Sequence, residues 1–143
     1  MATTGNVRFA VAVHVLVLLA LASEAQNSAT IAESVSTHPV VIRRILGWLQ
    51  RAGLVVGRPG PRGGFRLARA AESITLDEVF RAVESDGAAP PAHRPNLQCP
   101  VGRHVSKVLA AIGSRAERAF LGALAAETVA GAARQARRSG AGA

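Results

Sequence analysis

Cysteine is nearly absent from this chain: Cys99 is the only one among 143 residues. A single thiol excludes an internal disulfide and any metal site that draws several thiolates from one chain, and it fits a reducing, cytoplasmic setting. Aromatic residues are almost as scarce, at 3%, while 49% of the residues are apolar, so the core must be built from helices packed through Ala, Leu and Val. Lysine is rare as well, since every basic residue except Lys107 is an arginine. Arginine suits bidentate contact with phosphate and guanine edges, although an arginine- and alanine-rich chain also follows from genomic base composition. Enzymatic signatures are missing too: there is no nucleophile with a base at usable spacing, no phosphate-cradling loop ahead of a helix, and no paired acids in a plausible cleft.

What is present is positive charge. The formal net charge is +8 and the isoelectric point is near 11.7, which favours a polyanionic partner without distinguishing DNA from RNA or an acidic membrane. From Thr30 to Arg69 the bases are Arg43, Arg44, Arg51, Arg58, Arg62, Arg66 and Arg69, and the one acid is Glu33. Such an imbalance belongs to a surface laid against phosphates.

The N-terminal run FAVAVHVLVLLALA, Phe9 to Ala22, admits two readings. Arg8 before it and ALASEA after it resemble a secretory signal, and the run is too short to span a membrane. Against export, Val7, Val11, Val15, Leu18 and Ala22 fall on one helical stripe and His14 interrupts the apolar centre, so a scaffold helix from Val7 to about Ser23 is preferred. Its expected neighbours are the next two helices and the C-terminal helix of a partner chain, with His14 in a core or interface.

After a polar loop, Thr30 to about Val35 reads as a short helix in which Ser28 or Thr30 caps and Thr30 with Glu33 has capping-box spacing. Ser36 and Thr37 form a turn, and Pro39 opens a second helix at the position where a missing N–H costs nothing. Ile42, Ile45, Leu46 and Leu49 recur inward, which leaves Val40, Val41, Arg43 and Arg44 outward near the start, with Trp48 on the rear half as packing. Gly53 ends this helix as a left-handed cap. Leu54 to Val56 and Gly63 to Leu67 then read as paired strands around the turn-forming GRPGPRGG, a hairpin whose tip can reach a minor groove or a phosphate run, or, as a Gly/Pro/Arg loop, is merely solvated.

Thr75 to Ser85 is predicted as a helix capped by Thr75 with Glu78, with Leu76, Val79, Phe80 and Val83 inward and acids returning at Asp77, Glu78, Glu84 and Asp86. It should face away from DNA. The organisation expected is mainly α: a winged helix-turn-helix with a two-stranded wing over 1–86, a proline-rich linker over 87–100, a helical dimerisation region over 101–133, and a disordered tail over 134–143. Val101, Val105, Val108, Leu109, Ile112, Ala116 and Phe120 stripe one long helix from Pro100 to about Phe120, Leu121 to Ala133 supplies a last helical piece, and a symmetric dimer would bury the stripe.

In order and spacing, IAESV, HPVVIRRIL, LQRAGLV, RPGPRGGFRLAR and ITLDEVFRAVE resemble the Rrf-two (Rrf2) family of bacterial winged helix-turn-helix transcription regulators. The resemblance spans Val7 to Glu84 and, more loosely, CPVG with the long helix. It implies a cytoplasmic homodimer on a partly palindromic operator of double-stranded DNA, more often a repressor, with the second helix in the major groove and the wing in the adjacent minor groove. By position it places His38, Val40 and Arg43 on bases and Arg58 and Arg62 in the wing. The full DNA-facing set is then Thr30, His38, Pro39, Val40, Val41, Arg43, Arg44, Arg58, Arg62 and Arg66.

Two departures from the family stand out. Pro59 separates Arg58 from Gly60, where the family wing has arginine directly before glycine, so which arginine enters the groove stays open. Family members that sense iron or nitric oxide hold an iron-sulfur cluster with three cysteines, whereas Cys99 is alone, which points to the clusterless branch with no cofactor. Cys99 then has two readings: a thiol sensor of oxidants or electrophiles, beside Arg103 and His104 at a helix start, or a cysteine packed under the linker. A zinc site from His93, Cys99 and His104 matches no familiar ligand spacing. The competing functions are a nucleoid-type protein that binds DNA with little sequence preference, and a secreted basic protein carrying an N-terminal signal.

Overall fold

The computed structural model describes residues 7–84 and 94–141. The linker residues 87–93, with His93, and the acid Asp86 lie outside the described residues. The order of elements is α1 (Val7–Leu21), α2 (Ser28–Val35), α3 (Pro39–Arg51), β1 (Val55–Arg58), β2 (Gly64–Leu67), a 3-10 turn (Ala71–Ser73), α4 (Leu76–Val83), α5 (Pro100–Ala125) and α6 (Val129–Ala141).

The apolar N-terminal run is a core helix. α1 buries Ala12, Val15, Leu16 and Leu19 among α2, α3, α4 and α6. The inward stripe is therefore rotated from the expected one, and Val7 is exposed. A helix apolar on nearly every face gives no phase, so its neighbours choose the side that is buried. One neighbour is the chain's own α6, where a partner's helix was expected. His14 is at the surface instead of in a core, with Nε2 3.4 Å from the Ser34 hydroxyl.

α2 begins two residues earlier than expected, at Ser28. Asn27 is its cap, with Oδ1 accepting the Thr30 N–H at 2.8 Å, so neither Ser28 nor Thr30 caps and Thr30 lies in the first turn. The helix closes on Ser36 in the left-handed conformation at φ 58°, and α3 starts at Pro39 after His38. α3 buries Ile42, Ile45, Leu46 and Leu49, and each such aliphatic side chain stabilises the fold by about 1.5–3 kcal/mol. Gly53, at φ 74°, then turns the chain so that the Leu54 N–H donates to the Leu49 carbonyl at 2.9 Å and Leu54 returns to the core.

β1 and β2 form an antiparallel pair in the register Val55 with Leu67, Val56 with Arg66, Gly57 with Phe65, and Arg58 with Gly64. The first strand starts and ends later than the expected Leu54–Val56, because Leu54 belongs to the helix cap. α4 is capped as predicted in kind: the Glu78 carboxylate accepts the Thr75 backbone N–H at 3.0 Å. It is shorter than the expected Thr75–Ser85 span, since Glu84 is already extended.

The C-terminal part departs most from expectation. α5 runs 26 residues, through Gly113 and past Phe120, and the stretch expected to be a disordered tail from Arg134 is helical to Ala141. Thr128 makes this possible: its hydroxyl accepts the Gly131 N–H at 3.0 Å, and Ala, Arg and Gln propagate helix well. The start of α6 is sewn to the start of α4, with the Leu76 N–H donating to the Glu127 carbonyl at 3.0 Å and the Val129 N–H to the Ile74 carbonyl at 2.9 Å. Val129, Ala130 and Ala133 are consequently buried in the chain's own core, so the part of the C-terminal region free for a partner is α5.

Candidate nucleic-acid interface

The buried stripe of α3 decides what its other face shows. With Ile42, Ile45, Leu46 and Leu49 inward, Val40, Val41, Arg43 and Arg44 are outward, and His38 and Pro39 are exposed at the helix start. Thr30 is exposed in the first turn of α2. The N-terminal end of α3 also carries the positive pole of its dipole, which adds to the arginines in attracting phosphate.

The wing is shaped by two close backbone approaches. A Cβ on Gly63 would run into the Arg58 carbonyl, and one on Gly64, at φ 129°, would come within 2.8 Å of the Gln26 backbone. Gln26 is there because it pairs with β2, donating its N–H to the Phe65 carbonyl at 3.0 Å and accepting the Phe65 N–H at 2.8 Å. That one-residue third strand was not expected from the polar loop, which has no alternating pattern to reveal it. It ties the wing to the chain just ahead of α2.

Along the hairpin, Val55, Gly57, Phe65 and Leu67 share the inward face, so Val56, Arg58, Gly64 and Arg66 share the outward one. Val56, Gly57, Arg58, Gly64 and Arg66 line a cleft of about 260 Å³. At the tip, the Gly63 N–H donates to the Gly60 carbonyl at 2.9 Å, which sets Arg62 on the apex of a tight turn and Arg58 at the root. All ten residues of the DNA-facing set are exposed.

Electrostatics separates these arginines from the rest. Among the described residues the ion pairs are Arg8 with Glu84, Arg69 with Glu78, and Arg81 with Asp77, so Arg43, Arg44, Arg58, Arg62 and Arg66 have no carboxylate partner. Arg69, although part of the basic run, is a structural arginine: it meets Glu78 at 2.6 Å and also donates to the Ser73 carbonyl. The Thr75 backbone N–H, followed by Arg69, holds the Glu78 carboxyl below the ordinary glutamate range. Arg51, in the last turn of α3, sits at the opposite end from the exposed start.

Cys99 is exposed as the residue before Pro100, the first of α5, with Arg103 and His104 exposed in the following turn. It is therefore not packed beneath the described residues. Trp48 is half-buried against the core, with the Arg8 guanidinium carbon 5.6 Å from its ring centroid, a contact that sequence reasoning missed because forty positions of chain separate the two. No helix among the described residues is long and apolar enough to cross a membrane.

A family profile described as Rrf2, iron-dependent transcriptional regulator, matches residues 6–135. The chain is 36% identical over 125 residues to a Bacillus subtilis protein named HTH-type transcriptional regulator YwnA, covering 87% of this chain and 92% of that one. A solved structure described as a DNA-binding protein superposes with a TM-score of 0.72 at 34% identity, covering 87% of this chain and 97% of the other. The fold is shared as well with IscR of T. potens, at a TM-score of 0.72 and 18% identity over 97% and 90% of the two chains.

The family description names iron. A three-thiolate iron-sulfur set does not fit this chain, whose one thiol is Cys99, and among the described residues no three His, Cys, Asp or Glu side chains gather as a metal site.

Proposed function

The chain belongs to the Rrf2 family and is a DNA-binding transcriptional regulator, not an enzyme, and from that premise we propose that it acts in the cytoplasm as a homodimeric repressor. Each copy lays the start of α3 in a major groove and its wing in the adjacent minor groove, with Arg43 and His38 reading base edges and Arg62 leading at the wing tip. The observation that carries this reading is the coincidence of exposure and unpaired charge: Arg43 and Arg44 on α3 and Arg58, Arg62 and Arg66 along the wing face solvent with no carboxylate partner among the described residues. The bare apolar stripe of α5 supports the dimer, and a two-fold dimer asks for a partly palindromic site.

The regulator is proposed to carry no iron-sulfur cluster and to respond through the exposed Cys99, whose modification by an oxidant or electrophile releases DNA and the promoter it occludes. A Cys99→Ser protein that still leaves its operator under peroxide and disulfide stress would remove this arm of the proposal.

Genomic footprinting, followed by affinity measured on a recovered site and on random duplex in the same salt, tests the core. Arg43→Ala is expected to lower operator affinity by about 1–3 kcal/mol while changing random-duplex affinity much less. Equal losses on both duplexes would favour a nucleoid-type protein, and no loss on either would displace α3 from the groove.

A further inference from the structure

At the back of the reading helix, three side chains far apart in sequence meet. The Arg8 guanidinium lies 3.4 Å from Glu84 Oε2 and 5.6 Å from the Trp48 ring centroid. The Glu84 side chain is 5% exposed and the Arg8 side chain 40%, and Glu84 Oε1 has no hydrogen-bond partner among the described residues. A buried carboxylate with one ionic partner and an orphaned oxygen is a poor way to stabilise a fold, because its desolvation offsets the attraction. What such a pair does well is fix a position.

The position fixed is that of α3. Trp48 is one helical turn beyond Arg44, so the indole and the outward arginines turn together about the helix axis. The other end of the contact reaches the long helix. Phe9, next to Arg8, stacks edge-on against Phe80, one turn before Glu84, at 5.6 Å, and Phe80 stacks against Phe120 of α5 at 5.0 Å. α5 therefore touches α4 one turn before Glu84, and Phe80 relays that contact to Phe9 beside Arg8.

We propose that Arg8 is a positioning residue for DNA reading: anchored on buried Glu84, it holds Trp48 and so sets the rotation of α3, passing to it the placement of α5. This rests on α3 being the reading helix, and it adds a coupling between that helix and the dimer arm.

Trp48 is the chain's one tryptophan, so its emission reports the contact directly in the full-length, DNA-free protein. Glu84→Gln is expected to shift that emission although Glu84 is not the residue over the indole, and to lower operator affinity about tenfold, with random-duplex affinity and the salt slope unchanged. Arg8→Lys should restore part of the affinity that Arg8→Met loses. Arg8→Met with Glu84→Gln leaves no uncompensated buried charge, so it remains measurable if Arg8→Met alone folds poorly. Its operator affinity should equal that of Glu84→Gln, and of Arg8→Met where that variant folds, because the two groups act as a unit.

The inference is overturned if Glu84→Gln leaves both emission and affinity at wild-type values, or if the two substitutions add independently. It is also overturned if Glu84→Gln is silent while Arg8→Met lowers the salt slope by about one phosphate contact, which would make Arg8 a DNA ligand. An Arg43→Ala protein with full operator affinity would instead sink the placement of α3, and the emission data would still decide whether the coupling exists.

Discussion

α3 and α5 begin alike and end up doing opposite things with their apolar faces. Each opens on a proline in its first turn, after a residue that makes no side-chain cap. α3 then buries Ile42, Ile45, Leu46 and Leu49 within its own chain. α5 leaves Val101 at 72% exposure, Val108 at 55%, Leu109 at 43% and Ile112 at 47%. Where the apolar face is satisfied internally, the polar face is the one available to a ligand. Where the apolar face has no partner among the described residues over several turns, it is the face that the proposed dimer would cover.

The largest effect should come from placing charge on the uncovered stripe. Leu109→Glu with Ile112→Glu is expected to leave the monomer fold intact by circular dichroism, to convert the dimer to monomer in sedimentation, and to lower operator affinity by roughly 100-fold or more through lost bivalency. An unaltered dimer would place the interface elsewhere. A milder pair sharpens the contrast. Ile45→Ala in α3 should cost about 2–5 kcal/mol of folding stability in urea titration, whereas the same change at Ile112 should weaken self-association and leave the stability of the dissociated chain almost unchanged.

The smallest effect lies on α4, at Glu78. Its folded-state carboxyl is held down by the Thr75 N–H and by Arg69, so its stabilisation is fully present above the ordinary glutamate value and is lost as pH falls below that value through the lowered folded-state one. Because the side chain is 40% exposed, that contribution is screened to under about 1 kcal/mol. Glu78→Gln should accordingly flatten the acid limb of the thermal-melt profile slightly and leave neutral-pH DNA affinity in place. A steepened acid limb would contradict the assignment.

How far these features could be read from the chain depends on local punctuation. The α3 stripe was legible residue by residue because Pro39 and Gly53 mark its ends and the apolar spacing has a single phase. The exposure of nine of the ten positions proposed to face DNA followed from it and from the wing hairpin, while Thr30 was placed by its position on α2. α1 offered the wrong stripe because almost every position is apolar, and the choice of buried face belongs to the tertiary neighbours. α6 was legible only in part, as a last helical piece from Leu121 to Ala133, because the break before it, Ala126-Glu127-Thr128, holds neither glycine nor proline, and its docking depends on backbone bonds to Ile74 and Leu76 some fifty positions away. The fate of Arg69 was equally invisible, since nothing in a basic run says which member will meet an acid on the next helix.

Hydroxyl-radical footprinting on a genome-selected site tests the central claim most directly. Two protected half-sites centred about one helical turn (~10 bp) or a multiple of it apart, on one face of the duplex and both weakened by Arg43→Ala, are the expected result. One protected stretch without two-fold symmetry, or even protection along the duplex that Arg43→Ala does not alter, would contradict it.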